Sequence, residues 1–375
     1  MNRKKETLIY LAAGAAALLA FTGALSLWYY ADRVAEGVWI EGRFETWGHD
    51  LVLGEESVVL SDSFAIDVYT RGDSGYFIAQ ELWTDNVSFL AYDGTNICAV
   101  EEYGRVWVLV PAGDRLFEVH LSFQIPPDEL GFGNELFAAA WDGDHLVVGG
   151  RMGFNDSAGI LRVIALNGSV DLANVETYFL PARVTDIERL DSGFAIVAED
   201  VFLLDAVSAQ PNTTLVGPLE GFSGARKVGC SASGCAVAGT AGDSWPTAKW
   251  RIHFVDLSWR ETSNVSIEPL MSGPFPWVSD LEYFGDAVWL AIRDAPLYRL
   301  WADGRSQALS PQLTDFRALD ADGGRVAALQ RKEIIIFGER RDLFPAIGFG
   351  VAVLASPIFI TIALRLRERQ PGEED

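Results

Sequence analysis

Two long apolar runs bracket the chain, and between them apolar residues come only in short bursts. Residues 7 to 30, TLIYLAAGAAALLAFTGALSLWYY, and residues 343 to 364, LFPAIGFGVAVLASPIFITIAL, carry no charge. At ~1.5 Å of rise per residue either run spans ~30 Å of hydrocarbon as a helix. Each is predicted to be a transmembrane helix. Arg3, Lys4 and Lys5 precede the first, and Trp28, Tyr29 and Tyr30 close it; Arg365, Arg367 and Arg369 follow the second. A cleaved signal peptide is the competing reading of the first run. Its apolar part would be ~7–15 residues long and end in small side chains. Basic flanks place residues 1–6 and 365–375 in the cytoplasm and 31–342 outside the cell membrane. Arg340 and Arg341 pull the other way, on the outer flank of the second run. Small residues at i, i+4 spacing (Ala12, Ala16, Ala20, Ala24; Gly348, Ala352, Ser356) predict that the two helices pack together.

Between the runs helical periodicity is nearly absent, and short apolar or alternating stretches broken by Gly and Asp predict strands. One unit recurs: an apolar strand, a tight Gly turn, a second apolar strand, then two more. It is clearest in VSFLAYDGTNICAV, from Val87, and LFAAAWDGDHLVVGG, from Leu136; weaker copies begin at Val184, Arg226, Ser279 and Phe316. The landmark glycines are Gly54, Gly94, Gly143, Gly193, Gly234, Gly285 and Gly323, spaced 40, 49, 50, 41, 51 and 38 residues apart. A four-stranded propeller blade needs ~40–50 residues.

The pattern resembles the β-propeller superfamily in general, over roughly residues 38 to 338. The resemblance implies a propeller architecture, and with the seven units and the two apolar runs the expected fold is an all-β, seven-bladed ectodomain flanked by two transmembrane helices. Six or eight blades, or a β-sandwich, are the alternatives. No subfamily is implied: Trp141-Asp142 occurs once and in the wrong strand for a tryptophan-aspartate repeat, and quinoprotein docking motifs are missing. The last unit lacks a fourth strand, and residues 38 to 46 are spare at the other end. Docking them as the outer strand of the last blade would close the ring. Both chain ends would then leave on the face of the first-to-second and third-to-fourth turns, which should look at the membrane. The long segments 124–134, 150–159, 240–249 and 271–277 belong to the opposite face, where function is expected.

Composition narrows the classes. A net charge of -23 disfavours binding to nucleic acid. Five Asn-x-Ser/Thr sequons, at Asn86, Asn155, Asn167, Asn212 and Asn264, all lie between the apolar runs. They predict an exported, glycosylated domain. Asn167, Asn212 and Asn264 are placed in third-to-fourth turns. Cys230 and Cys235 flank a four-residue turn and are candidates for a disulfide, which would persist outside the cytoplasm. Cys98 reads as a buried thiol.

Candidate chemistry is sparse. The chain has no G-x-S-x-G elbow, H-E-x-x-H helix, P-loop or dinucleotide fingerprint. His49, His120, His145 and His253 are scattered, and Asp142-Gly-Asp144 and Asp320-Ala-Asp322 read as turns, so no catalytic residue, metal or cofactor is assigned. Trp245, Phe275 and Trp277 sit beside prolines on the predicted outward loops and are the binding candidates. The expected function is a membrane-anchored surface module that binds a protein or glycan. The alternatives are a tethered hydrolase working from the channel and a two-span channel subunit.

Overall fold

The computed structural model describes residues 42–72, 75–84, 86–113, 116–126, 135–152, 155–166, 170, 172, 175–205, 213–241, 249–267, 278–293, 295–309, 314–322 and 324–338, with 14, 17, 21, 23, 24, 34–35 and 38–41. The backbone separates into a unit spanning Gly42–Phe337 and a smaller one comprising the two ends of the chain. Among the described residues no helix is long and apolar enough to cross a membrane. Residues 343–364, and 7–30 apart from Gly14, Ala17, Phe21, Gly23 and Ala24, lie outside them.

The larger unit is a seven-bladed β-propeller. Six blades are four-stranded meanders in chain order. They are β3–β6 (Asp50–Leu53, Ser57–Ser61, Ala65–Gly72, Gly75–Trp83), β7–β10 (Val87–Tyr92, Ile97–Glu101, Arg105–Pro111, Phe117–Gln124) and β11–β14 (Glu135–Trp141, His145–Met152, Asn155–Ala165, Glu176–Leu180). Then come β15–β18 (Asp186–Leu190, Gly193–Ala198, Asp200–Asp205, Thr214–Val216), β19–β22 (Ala225–Ser231, Gly234–Ala241, Lys249–Val255, Glu261–Ile267) and β23–β26 (Val278–Phe284, Ala287–Ile292, Tyr298–Leu300, Ser306–Ala308). The seventh blade holds β27–β29 (Phe316–Asp322, Arg325–Gln330, Glu333–Gly338) and takes its outer strand from the other end of the chain, β2 (Val38–Glu45); β1 (Val34–Ala35) extends that sheet.

The expected closure is therefore observed. Thr46 donates its N–H to the Lys332 carbonyl at 3.0 Å, and Arg43 pairs with Glu333 at 3.5 Å. Phe44 packs its ring against Tyr69 and Tyr76 of the first blade, at 4.6 and 5.3 Å between centroids. Arg325, buried at the start of β28, donates to the carbonyls of Gly54 and Glu55 and to the Tyr76 hydroxyl. The junction of the last and first blades is thus tied by both packing and hydrogen bonds.

The second strand of each blade is the most completely buried, as in Ala195–Ala198 and Ala287–Ile292, because it is covered on both faces. The core consequently lies between blades as a series of apolar clusters, each shared by two neighbours. Of the landmark glycines, Gly54, Gly94, Gly143 and Gly285 fall in first-to-second turns, Gly193 and Gly234 open the second strand just after one, and Gly323 lies outside the described residues. Gly94 and Gly143 have φ of +101° and +104°, a region that side chains with a Cβ rarely adopt. Cys230 and Cys235 face each other across β19 and β20 and form a disulfide, and Cys98 is a buried free thiol.

Candidate functional site

The first strand of each blade lines the propeller axis, and its register shows what reaches the channel. Five of these strands carry a one-residue bulge near their start, at Ser88, Phe137, Arg226, Ser279 and Arg317. His49 and Thr185 hold the same place in the first and fourth blades, their N–H groups bonded to the Ser61 and Val197 carbonyls. All seven residues line a cavity of about 720 Å3. One position further on stand Asp50, Phe89, Ala138, Asp186, Lys227, Asp280 and Ala318, and two beyond those Val52, Ala91, Ala140, Glu188, Gly229, Glu282 and Asp320. The period-2 alternation of a strand turns both rings inward, and all but Gly229 line the cavity.

The channel consequently has two unlike walls. The second and third blades contribute Phe89, Ala91, Phe137, Ala138 and Ala140; the other five contribute six carboxyl groups and the single ammonium of Lys227. Arg183, Arg226 and Arg317 stand where the strands begin, with Thr240 and Trp250, and so mark the mouth on the long-segment face. Gly229 is obligatory for a steric reason: a Cβ there would lie 2.6 Å from Leu281 Cδ2 and 2.7 Å from the Leu281 carbonyl oxygen.

The carboxylates clasp neighbouring blades. Asp50 accepts the N–H of its own next residue, Leu51, at 2.9 Å and that of Leu90 in the second blade at 2.8 Å. Asp280 does the same with Leu281 at 3.0 Å and Leu319 in the seventh blade at 2.7 Å. Asp186 reaches Val228 in the fifth blade at 2.8 Å and also holds Lys227 at 3.1 Å. Asp320, one ring deeper, accepts from Ala321 at 2.9 Å and from Leu53 in the first blade at 2.6 Å. Glu188 takes the Cys230 N–H in the equivalent way.

Burial dominates the electrostatics. It pushes Asp50 and Asp320 up to about 7, against the lowering effect of their backbone donors. Glu188 and Glu282 are driven well above the usual carboxylate range by burial and by their acidic neighbours. For Lys227 burial works against the charge, but Asp186 and Asp280 (3.1 and 3.7 Å away) outweigh it and keep the ammonium protonated. What the arrangement offers a ligand is an acidic floor, an apolar side and a mouth with three arginines.

The residues anticipated from sequence are distributed unevenly. Trp245, Phe275 and Trp277 lie outside the described residues, as do Asn167 and Asn212. The segments holding the three aromatics are bounded by Trp250 and Val278, both of which line the cavity. Asn86 is in the link between β6 and β7, and Asn155 begins β13. Asn264 corrects its assignment to a turn: it lies within β22, paired with His253, because the turn closes earlier, at residues 256–260. Asp142 is a turn residue as expected, its Oδ1 accepting the N–H groups of Asp144 and His145. Asp320 is not; it lies inside β27. The channel acids were missed, although Thr185-Asp-Ile-Glu188 and Ser279-Asp-Leu-Glu282 repeat the same alternation on the first strand of two copies.

No family model matches the chain, and no curated protein does. Solved structures do. The WD40 propeller domain of Doa1 is 10% identical, covering 82% of this chain and 98% of that one, with a TM-score of 0.55. U3-55K is 13% identical over 79% and 98%, with a TM-score of 0.56. A chain of a mitotic checkpoint complex is 14% identical over 83% and 96%, also at 0.56. At such identities the likeness is one of fold alone.

Proposed function

We propose that this propeller is a membrane-anchored cell-surface module that captures a protein or glycan on the face around the channel mouth. Residues 7–30 and 343–364 are its anchors, 1–6 and 365–375 its cytoplasmic tails, and 31–342 its extracytoplasmic part. The observation that carries the reading is the polarity of the ring. Within Gly42–Phe337, Arg183, Arg226, Arg317 and the flanks of segments 124–134, 240–249 and 271–277 share one face. The fourth expected loop, 150–159, is instead strand on both sides of residues 153–154, because β12 and β13 stay paired as far as Met152 and Asn155. Within the same unit the last meander strand, β29, runs toward the other face. Rigid aromatic and arginine side chains at a mouth are the usual anchors of an interface. A similar chain is found in a mitotic checkpoint complex, a protein assembly, which supports a protein partner.

Pull-down from intact cells with the full chain tests this. Trp245→Ala, Trp277→Ala and an Arg226→Ala/Arg317→Ala pair are expected to lose the captured partner while the protein stays at the surface. Unchanged capture in all of them would refute the assignment of the face.

A second reading, a tethered hydrolase, is favoured by one observation: acids held near neutrality share a cavity with His49. Against it, Asp50, Asp186, Glu188, Asp280 and Asp320 are each engaged by backbone N–H groups, as structural clasps are. Glu282 is the acid left for chemistry, and Glu282→Gln should abolish any hydrolase activity if that reading holds.

A further inference from the structure

Two large rings on the outer part of the first blade stay in water. Trp83, the last residue of β6, is 76% exposed, and Phe64, in the turn between β4 and β5, is 67% exposed. The same few residues contain the first sequon, Asn86-Val-Ser88. Its backbone is pinned to the turn that carries Phe64: Thr84 donates its N–H to the Phe64 carbonyl at 2.9 Å, and Asn86 donates to the Ser63 carbonyl at 3.0 Å. Asn86 is exposed and sits at φ +45°, in the left-handed region that asparagine tolerates better than most residues.

We propose that Asn86 carries an N-linked glycan whose first sugar ring lies against Trp83 and Phe64. The inference rests on the extracytoplasmic reading above. One face of a pyranose is a row of C–H bonds, which stacks on the electron-rich face of an aromatic ring. Trp83 precedes the asparagine by three residues. The residues at that position before the other sequons are Met152, Ile164, Ala209 and Glu261, none of them aromatic. Asn264 is further disfavoured, because it lies within a strand and its Nδ2 donates to Glu261 Oε1 at 2.6 Å.

Attachment uses a sugar carried on a lipid phosphate as co-reactant. Asn86 Nδ2 forms a bond to the sugar C1, the C1–O bond to phosphate breaks, the lipid phosphate leaves with the electron pair, and Nδ2 gives up one proton. The glycan then covers apolar surface that the propeller cannot bury itself. This places the modification on the outer rim of the long-segment face, beside the mouth and not over it.

The test is mass spectrometry of the full chain purified from its native cells, combined with limited oxidation of tryptophan. Occupancy at Asn86 is expected to exceed that at Asn264, and Trp83 should be protected from oxidation. In Asn86→Gln, Trp83 oxidation should rise several-fold while buried Trp289 is unchanged. Trp83→Ser should leave Asn86 glycosylated, since the stacking follows attachment. An occupied Asn86 with Trp83 oxidised equally in both proteins would overturn the stacking. A bare Asn86 beside other occupied sequons would overturn the site alone. Absence of sugar at all five would overturn the extracytoplasmic reading with it.

Discussion

The channel carboxyls make the stability of the propeller depend on pH in a window where surface acids are silent. Asp50 and Asp320 titrate near 7 in the folded chain, chiefly because burial penalises their charged form, against a reference value of 3.8. For acids whose folded pKa lies above the unfolded one, the folded state binds the extra proton. Their contribution is fully present below about 4 and is lost as pH rises through about 7. Between pH 8 and pH 6 each group should therefore add about 1.4 kcal/mol, and the pair just under about 3 kcal/mol at most, since water in the cavity screens part of the effect. Glu188 and Glu282, held higher still by burial, push the same way, as does His145, whose bond to Asp142 raises its pKa. At about 2 °C per kcal/mol for a domain of this size, the Asp pair alone shifts Tm by about 5 °C.

The assay is thermal unfolding of the full chain in detergent at pH 6, 7 and 8, for the wild type and an Asp50→Asn/Asp320→Asn variant. The wild type should be most stable at pH 6. The variant should lose part of the slope, whatever its absolute Tm, because its amides cannot ionise. Its Tm at pH 6 is expected to fall, since each amide has one carbonyl oxygen to serve two backbone donors. A wild-type Tm that is flat or lower at pH 6, or a variant with the full slope, would refute the claim that these acids are strained by burial.

Other expectations follow from particular contacts. Reducing the Cys230–Cys235 bridge, or replacing both residues with Ser, should cost about 2 kcal/mol, as a short closed loop predicts, read as a lower midpoint in urea; no change would mean the hairpin is fixed without it. Phe44→Ala removes the half-buried ring packed against Tyr69 and Tyr76 and should cost about 1–2 kcal/mol, with proteolysis beginning at the junction of the seventh and first blades. Gly229→Ala should cost about 1–3 kcal/mol, because the Leu281 backbone it would meet cannot step aside; a neutral result would show that the fifth and sixth blades are looser than their packing implies.

The architecture was legible in the sequence because a propeller is a local, repeated solution. Each blade is a meander of consecutive strands, so alternation and a tight turn suffice to show it, and the landmark at Gly94 or Gly143 recurs with the blade. Even the closure could be read from a deficit, a final unit one strand short and a spare strand at residues 38 to 46. The channel could not be found that way. Asp50, Asp186 and Asp280 are equivalent only when the pairing at the start of each first strand is known, with a bulge at Ser279 ahead of Asp280 and His49 and Thr185 in that place ahead of the other two, and a bulge is a property of pairing, not of residue type. Their distances from the nearest turn glycine differ, being four residues for Asp50 and seven for Asp186, so aligning on glycines hides the ring. Asp320 was misread for a related reason: beside Asp322 it has the composition of a turn, yet its carboxylate crosses to Leu53, far away in sequence and adjacent only because the ring closes. An acid bound to a backbone N–H of the next blade thus has no signature in its own neighbourhood. What the sequence does offer is negative: an acid placed where a strand should be apolar must have a partner elsewhere, and Asp-Ile-Glu188 and Asp-Leu-Glu282 satisfy that condition in two separate copies.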